Sequence, residues 1–182
     1  MWYNTLGMIK VNFWIIQLIG ALAWIILIIS YYRKDTNKIL SFHIVSTTLD
    51  ALHYFLLGAY AGTFVCLFES LRDYGYYKTD KDDYIFLGSI PVYVILAIFT
   101  CHSFIDILPV FSSIIDGYTL TKNKKTVVFG AVIAYTCWVI YAIAVKSYVG
   151  IVVDGILVLS NLSILLFDKD LIRGKFLKDN RK

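Results

Sequence analysis

Six apolar runs, each long enough to cross a lipid bilayer, constrain this sequence more than any other feature. A spanning helix needs about 20 mostly apolar residues, with a range of about 17–25. The runs that meet this requirement are residues 13–31, 39–57, 84–100, 104–120, 126–145 and 149–167. Because 59% of the chain is hydrophobic and only 16% is charged, a water-soluble domain of this size could not bury its apolar surface. The sequence therefore predicts a polytopic membrane protein.

A seventh segment, residues 62–77, is less apolar because it contains Glu69, Arg72 and Asp73. The loop charges decide whether it crosses, since cytoplasmic loops carry the excess of Lys and Arg. If it crosses, 15 basic residues, Arg72 among them, fall on one side of the membrane and only two fall on the other. The sequence therefore predicts seven transmembrane helices, with the N-terminus outside and the C-terminus in the cytoplasm.

An internal repeat is visible in this arrangement. Shifting the sequence by 88 positions superposes the first three predicted helices on the last three without gaps. The shift also aligns two tight turns, at residues 58–62 and 146–150. Because one helix lies between two three-helix units, both units run the same way across the membrane, as in SWEET-type transporters. The predicted fold class is all-α, with two parallel three-helix repeats joined by a linker helix.

The chain is predicted to form a single integral membrane domain over residues 1–182. In chain order its parts are a first repeat at about 13–79, a linker helix at about 84–100, a second repeat at about 104–167 and a basic cytoplasmic tail at 168–182. The first ten residues lack the basic region and cleavage site of a signal peptide. The N-terminal segment is therefore expected to be retained as a helix.

Polar side chains recur at helical spacing within the predicted spans. A charge in mid-membrane costs at least about 2.5–3.5 kcal/mol on insertion scales, so it requires a partner, an aqueous cavity or a function. Residues three or four positions apart share a helix face, and each helix of the two repeats has one such polar or aromatic face. We therefore expect a central polar cavity between the repeats. The residues predicted to form a substrate or ion path through it are Asp50, His53, Glu69, Trp138, Tyr141, Asp154 and Asn161.

The charged members of this set have alternative interpretations. Asp50 and His53 could share a hydrogen bond and carry a proton, or each could satisfy a neighbouring helix. Glu69 can reach Arg72 at a spacing of three, which would make a local ion pair near the inner end of its helix. Asp154 has no basic residue at helical spacing within its own helix, which makes it a candidate for a gate, ion or substrate contact.

The remaining polar and aromatic positions are also open to two interpretations. Trp138 and Tyr141 could stack on a ligand ring, or they could pack helices together. Asp106 lies near the outer end of its helix, where solvation would explain it. Asp116 lies near the inner end and could face Lys122 or Lys124.

No catalytic or cofactor motif is evident. The sequence has no Walker motif, no HExxH, no GxSxG and no cluster of Cys and His with metal-ligand spacing. Its basic residues lie in short clusters between apolar runs, which does not suit nucleic-acid binding. We therefore expect neither enzyme activity, nor a cofactor, nor a metal site. The expected partners are the lipid bilayer and a small-molecule substrate, with proton coupling and a homo-oligomer left open.

Two stretches of the sequence carry a recognisable pattern. One is HYFLLGAY at residues 53–60, with Gly62 and then ESLR at residues 69–72. The other is LPV at 108–110 and CWVIY at 137–141, followed by Gly150, by Asp154 with Gly155, and by Asn161. Their order and spacing resemble the YgjV family of bacterial inner-membrane proteins over roughly residues 13–167. The sequence departs from the family pattern at Tyr141 and Glu69, where His and Asn are expected. The resemblance implies a location in the bacterial inner membrane.

Two functional hypotheses follow. The three-plus-one-plus-three plan is similar to that of SWEET sugar transporters and PnuC-type vitamin transporters. This similarity favours a small-molecule transporter or facilitator that works by alternating access of two three-helix bundles. The alternative is a non-transporting membrane protein, such as an assembly factor or a sensor, whose intramembrane polar residues hold helices together.

Overall fold

The computed structural model describes residues 11–33, 36–79, 82–120, 122 and 124–167. This part of the chain confirms the all-α fold class and contains seven α-helices. Their bounds are α1 Phe13–Tyr31, α2 Thr36–Leu57, α3 Tyr60–Lys78, α4 Asp82–Thr100, α5 Ile107–Leu120, α6 Lys124–Val145 and α7 Tyr148–Phe167. The predicted basic tail at 168–182 lies outside the described residues.

Among the described residues, five helices are long and apolar enough to cross a membrane by length and composition: α1, α2, α4, α6 and α7. Helix α3 has 19 residues, but it is less apolar because it contains charged side chains, among them Glu69, Arg72 and Asp73. Helix α5 has 14 residues, so it rises about 21 Å, less than the hydrocarbon thickness of about 30 Å. The protein is thus a polytopic membrane protein, and crossing by α3 and α5 stays a prediction.

The predicted span 104–120 begins with a short turn rather than with α-helix. Residues Phe104–Asp106 form a 3₁₀ turn that leads into α5. The Asp106 carboxylate accepts hydrogen bonds from the backbone N–H of Ser103 at 2.9 Å and of His102 at 3.1 Å. A carboxylate in the first turn satisfies donors that have no partner within the helix. Asp106 therefore has a local structural role at this helix start.

The apolar surface faces outward, as a lipid environment requires. On α1, the side chains of Trp14, Leu18, Leu22 and Ile25 are each at least half exposed. Their spacing of three and four places them in one stripe along the helix. In water such a continuous apolar stripe would have to be covered, whereas lipid solvates it directly.

The two halves of the chain pack in the same order. Helices α1, α2 and α3 pack as consecutive neighbours and are called the first unit, and α5, α6 and α7 do the same and are called the second unit. Helix α4 packs on α3 and α5, and α1 also contacts α7. A buried cluster joins the units, with Ala51 and Tyr54 on α2, Cys66 on α3 and Tyr141 on α6.

The hairpin turns within the two units are built alike. Gly58 after α2 has φ 76° and Lys146 after α6 has φ 61°, so both residues are in the left-handed conformation. The N–H of Ala59 and that of Ser147 each donate to a carbonyl five residues earlier at 2.9 Å. This is the Schellman cap that commonly ends a helix. The two turns are related by the same shift of 88 positions.

Substitution at the first of these turns gives a test of the cap. Gly58→Ala is expected to lower the free energy of unfolding by about 1 kcal/mol, because a β-carbon is unfavourable in the left-handed region. Gly88→Ala is the matched control, since a β-carbon at Gly88 in α4 meets nothing within 4 Å. Thermal unfolding in detergent should rank Gly58→Ala below both the wild type and Gly88→Ala. Equal midpoints for the two variants would contradict the cap.

Candidate functional site

A cavity of about 90 Å³, lined by both polar and apolar side chains, lies between the two units. Its walls come from α1, α2, α3, α5, α6 and α7. A space of this size holds several water molecules, but it is well below the 300–1,000 Å³ typical of sites for drug-sized ligands. The cavity lies where the sequence predicts one, between the two three-helix units.

The cavity walls follow the internal repeat. Ten of the lining residues form five pairs that are 88 positions apart, so equivalent positions of both units face the same space. The pairs are Trp24 and Ser112, Ser46 and Ala134, Thr47 and Tyr135, Asp50 and Trp138, and Cys66 and Asp154. The side chains within each pair differ, so equivalent positions of the two units present different functional groups to the cavity.

Asp50 and Asp154 line the cavity, and no described residue pairs with either carboxylate. Asp154 on α7 is only 3% exposed, and Asp50 on α2 is partly buried. Within the described part of the chain, neither carboxylate has a hydrogen bond or an ion pair, and both line the cavity. A carboxylate in a low-dielectric interior is costly unless water, a proton or a cation compensates its charge.

An aromatic wall borders these carboxylates. The rings of Tyr54 on α2 and Trp138 on α6 are stacked, with centroids 5.5 Å apart and planes at 24°. Both residues line the cavity, and Tyr54 is buried. Trp138 was predicted from the sequence, whereas Tyr54 was missed. Its position four residues after Asp50, on the same face of α2, is the signal that could have found it.

His53 does not line the cavity. Its ring nitrogens contact the backbone carbonyl of Ile16 on α1 at 2.8 Å and the hydroxyl of Ser147 in the α6–α7 turn at 2.8 Å. The hydrogen bond between Asp50 and His53 that their spacing allows is therefore not formed, because the partners of the two ring nitrogens are Ile16 and Ser147. The alternative interpretation, in which His53 satisfies neighbouring helices, agrees with this geometry.

Tyr141 and Asn161 also lie outside the cavity lining. Tyr141 is fully buried, and its hydroxyl accepts a hydrogen bond from the N–H of Gly62 in the first turn of α3 at 2.9 Å. The side-chain amide of Asn161 donates to the Leu157 carbonyl of its own helix at 2.8 Å. Of the predicted path residues, Asp50, Glu69, Trp138 and Asp154 come together around the cavity.

A buried ion-pair network lies at the end of the cavity away from the hairpin turns. Arg72 is 4% exposed and donates to Asp73 at 3.4 Å and to the Tyr93 hydroxyl at 3.2 Å, with Asp116 at 3.8 Å. The expectation that Arg72 is a loop charge is corrected, because its guanidinium is buried. Asp116 lies beside the guanidinium, and the side chain of Lys124, one of its predicted partners, lies outside the described part of the structure. No ion pair joins Glu69 to Arg72 among the described side chains, because Asp73 and Asp116 occupy the guanidinium.

Two further side chains connect this network to the cavity. Glu69 accepts a short hydrogen bond from the Ser113 hydroxyl of α5. His43 contacts Asp73 through Nδ1 at 2.5 Å. His43 was not among the residues predicted from the sequence, although it lies seven residues before Asp50 and therefore on the same face of α2. The side chains of His43 and Asp116 are 36% and 38% exposed, so this end of the cavity is less covered than the aromatic end.

Comparison with known proteins identifies the family. A family model described as bacterial inner membrane protein, Imp-YgjV, matches residues 14–167. The chain belongs to the YgjV family. It is also similar to inner membrane protein YgjV of Escherichia coli (strain K12), with 24% identity over 168 residues, which cover 89% of each chain. No solved structure matches the chain.

The family match makes this YgjV-family chain a bacterial inner-membrane protein, as the resemblance implied. In its site the charges are unequal. The described side chains of the cavity and of the ion-pair network include five carboxylates, the guanidinium of Arg72 and the imidazole of His43. The carboxylates are those of Asp50, Glu69, Asp73, Asp116 and Asp154. No group of three or more His, Cys, Asp or Glu side chains suited to a metal ion occurs in the described ranges. The acidic excess of this YgjV-family site favours cations or protons over anions.

Proposed function

We propose that this protein is a small-molecule transporter or facilitator of the bacterial inner membrane, and that it works without catalysing a reaction. The observation that carries the proposal is the cavity itself. It lies between two three-helix units, equivalent positions of both units line it, and it contains two carboxylates that have no partner among the described residues. Parallel repeats with a shared site at their interface suit alternating access, in which one unit rocks against the other.

Two sets of contacts between the units would serve as gates. The aromatic gate consists of Tyr54, Trp138 and Tyr141, at the end near the hairpin turns. The charged gate joins α3 to α5 through Glu69 with Ser113 and Arg72 with Asp116. Both sets of contacts are present in this structure, and the charged end is less covered than the aromatic end. Opening one gate while the other stays closed would expose the cavity to one side of the membrane.

The proposed orientation follows from the basic loops. With the N-terminus outside, the aromatic gate would face the outside and the charged gate would face the cytoplasm. A solute would then enter past one gate, contact Asp50 and Asp154, and leave past the other.

A native thiol makes alternating access testable. The chain has three cysteines, of which Cys66 lines the cavity while Cys101 and Cys137 do not. In a Cys101→Ser, Cys137→Ala background, we expect a membrane-impermeant methanethiosulfonate to modify Cys66 both in right-side-out and in inside-out vesicles. Modification would be followed by mass spectrometry of the purified protein.

The control is the same background with Cys66→Ser, which should not react. A non-transporting protein, in which the polar residues only hold helices together, would be modified from one side at most. That result would contradict the proposed function.

A further inference from the structure

Asp154 is the buried charge that the packing of the fold leaves unexplained. It is 3% exposed and lines the cavity, yet no described residue gives its carboxylate a hydrogen bond or an ion pair. The other buried charges, Arg72 and Asp73, are held by one another and by neighbouring side chains. Buried charges are normally paired, because isolation in a low-dielectric interior is costly. The partner of Asp154 is therefore expected among the contents of the cavity.

Asp50 adds a second carboxylate from the other unit. It lies on α2 and lines the same cavity as Asp154. Like charges repel, and the repulsion is strong in a medium of low dielectric constant. A single positive charge placed between them would be attracted by both. The pair thus favours a cationic occupant and disfavours an anion.

The aromatic wall favours an organic cation over an inorganic divalent one. The stacked rings of Tyr54 and Trp138 border the cavity, and Trp24 and Tyr135 line other parts of it. The face of a Trp or Tyr ring attracts a cation, and clusters of such rings recognise organic ammonium groups. Inorganic divalent cations prefer a shell of several oxygen or nitrogen ligands. The described residues contain no group of three or more acidic, His or Cys side chains in such an arrangement.

We propose that this cavity binds a small organic ammonium ion, held by the carboxylates of Asp50 and Asp154 and covered by the rings of Tyr54 and Trp138. The assignment rests on the proposed transport function and names the class of its substrate. The volume of about 90 Å³ limits the occupant of this conformation to a small headgroup. Protonation of both carboxylates would also neutralise them, but it would leave the rings of Tyr54 and Trp138 without a cation to contact.

The test uses the full-length protein in lipid nanodiscs. The main probes are choline and its neutral isostere 3,3-dimethylbutan-1-ol, which differ only in charge. Ethylammonium serves as a smaller cation, and sodium chloride at matched ionic strength serves as the salt control. Calorimetric titration should show saturable binding of at least one of the two ammonium ions. Its neutral counterpart, the isostere for choline and ethanol for ethylammonium, should bind about 10-fold more weakly or worse. The same ammonium ion should also slow the modification of Cys66.

Isosteric variants connect this binding to the carboxylates. Asp154→Asn is expected to weaken ammonium binding by about 10-fold or more, because it removes a charge-assisted interaction, and Asp50→Asn should act in the same direction. Asp83→Asn is the matched control, since Asp83 is exposed on α4, which does not line the cavity. If Asp154→Asn fails to fold, Asp50→Asn and the probes on unchanged protein still decide the outcome.

The possible failures are distinguishable. If Cys66 reacts from both sides but neither ammonium ion binds, the cation class is wrong and the transport proposal stands. If Cys66 reacts from one side only, the transport proposal is wrong, whatever binds. Binding of a neutral counterpart as tight as that of its ammonium ion, or an equal effect of sodium chloride, would overturn the assignment to an organic ammonium ion.

Discussion

Replacing Arg72 by methionine is expected to lower the free energy of unfolding by about 3–5 kcal/mol, the usual cost of removing one partner from a buried ion pair. The guanidinium contacts Asp73 and Tyr93, and it lies 3.8 Å from Asp116. Methionine fills much of the same volume but removes the positive charge. Among the described residues, Asp73, which is 3% exposed, would then keep only the His43 imidazole as a side-chain partner.

Unfolding in mixed micelles, followed by loss of helical signal, measures this effect. Arg33→Met is the matched control, because Arg33 is exposed between α1 and α2 and lies over the ring of Phe42. The control should cost less than about 1 kcal/mol, as is typical of surface charges. Equal losses in the two variants would show that the buried pair contributes no more stability than an exposed charge.

A second substitution separates the lost pairing from the charge left behind. If most of the cost comes from the unpaired Asp73 carboxylate, then Arg72→Met with Asp73→Asn should be more stable than Arg72→Met alone. The asparagine still offers a side-chain oxygen to His43. A double variant less stable than the single one would mean that the Asp73 charge is satisfied by His43 alone.

Gly62→Ala should have the second-largest effect. A β-carbon at this position would lie 2.8 Å from Cε1 of Tyr141 and 3.1 Å from Cγ of Tyr54. Neither ring can withdraw easily, because Tyr141 is fully buried and its hydroxyl is bound to the Gly62 N–H. We expect a loss of about 1–3 kcal/mol from overpacking, and about 1 kcal/mol more if the hydrogen bond breaks.

Gly155→Ala on α7 provides a control with the opposite sign. A β-carbon there meets nothing within 4 Å, so alanine should stabilise the helix by about 0.5–1 kcal/mol. The measurement is the unfolding midpoint of both variants under the same micelle conditions. A midpoint for Gly62→Ala at or above that of Gly155→Ala would mean that the interface between α3 and α6 is loose.

The helices could be predicted from the sequence because hydropathy and loop charge report directly on a lipid environment. The predicted run at 13–31 coincides with α1, and the turn predicted at 146–150 is the short connection at Lys146 and Ser147. The start of α5 differs because the hydrogen bonds of Asp106 to local N–H groups favour a tight first turn. Hydropathy averaged over an apolar run does not detect such a cap.

The partners of the polar side chains were harder to predict, since helical spacing gives the face of a helix but not its rotation against its neighbours. Asp50 and His53 are three residues apart, yet one faces the cavity and the other reaches Ser147 on a different unit. Arg72 was counted with the loop charges because its neighbours in sequence include a basic loop. Its guanidinium is buried and donates hydrogen bonds to the Tyr93 hydroxyl and the Ser113 carbonyl, which are 21 and 41 residues away in the sequence.

If the chain were divided into its two three-helix units, the contacts of His53 and Tyr141 would determine which units can pair. These residues are equivalent under the repeat, and each reaches across to the hairpin of the opposite unit. In a dimer of two first units, His53 would meet Ala59, the counterpart of Ser147, which has no hydroxyl. In a dimer of two second units, Tyr141 would meet Gly150, whose N–H is already bound to Ser147. Each half is therefore complementary to the other and not to itself, so co-expressed fragments should form heterodimers.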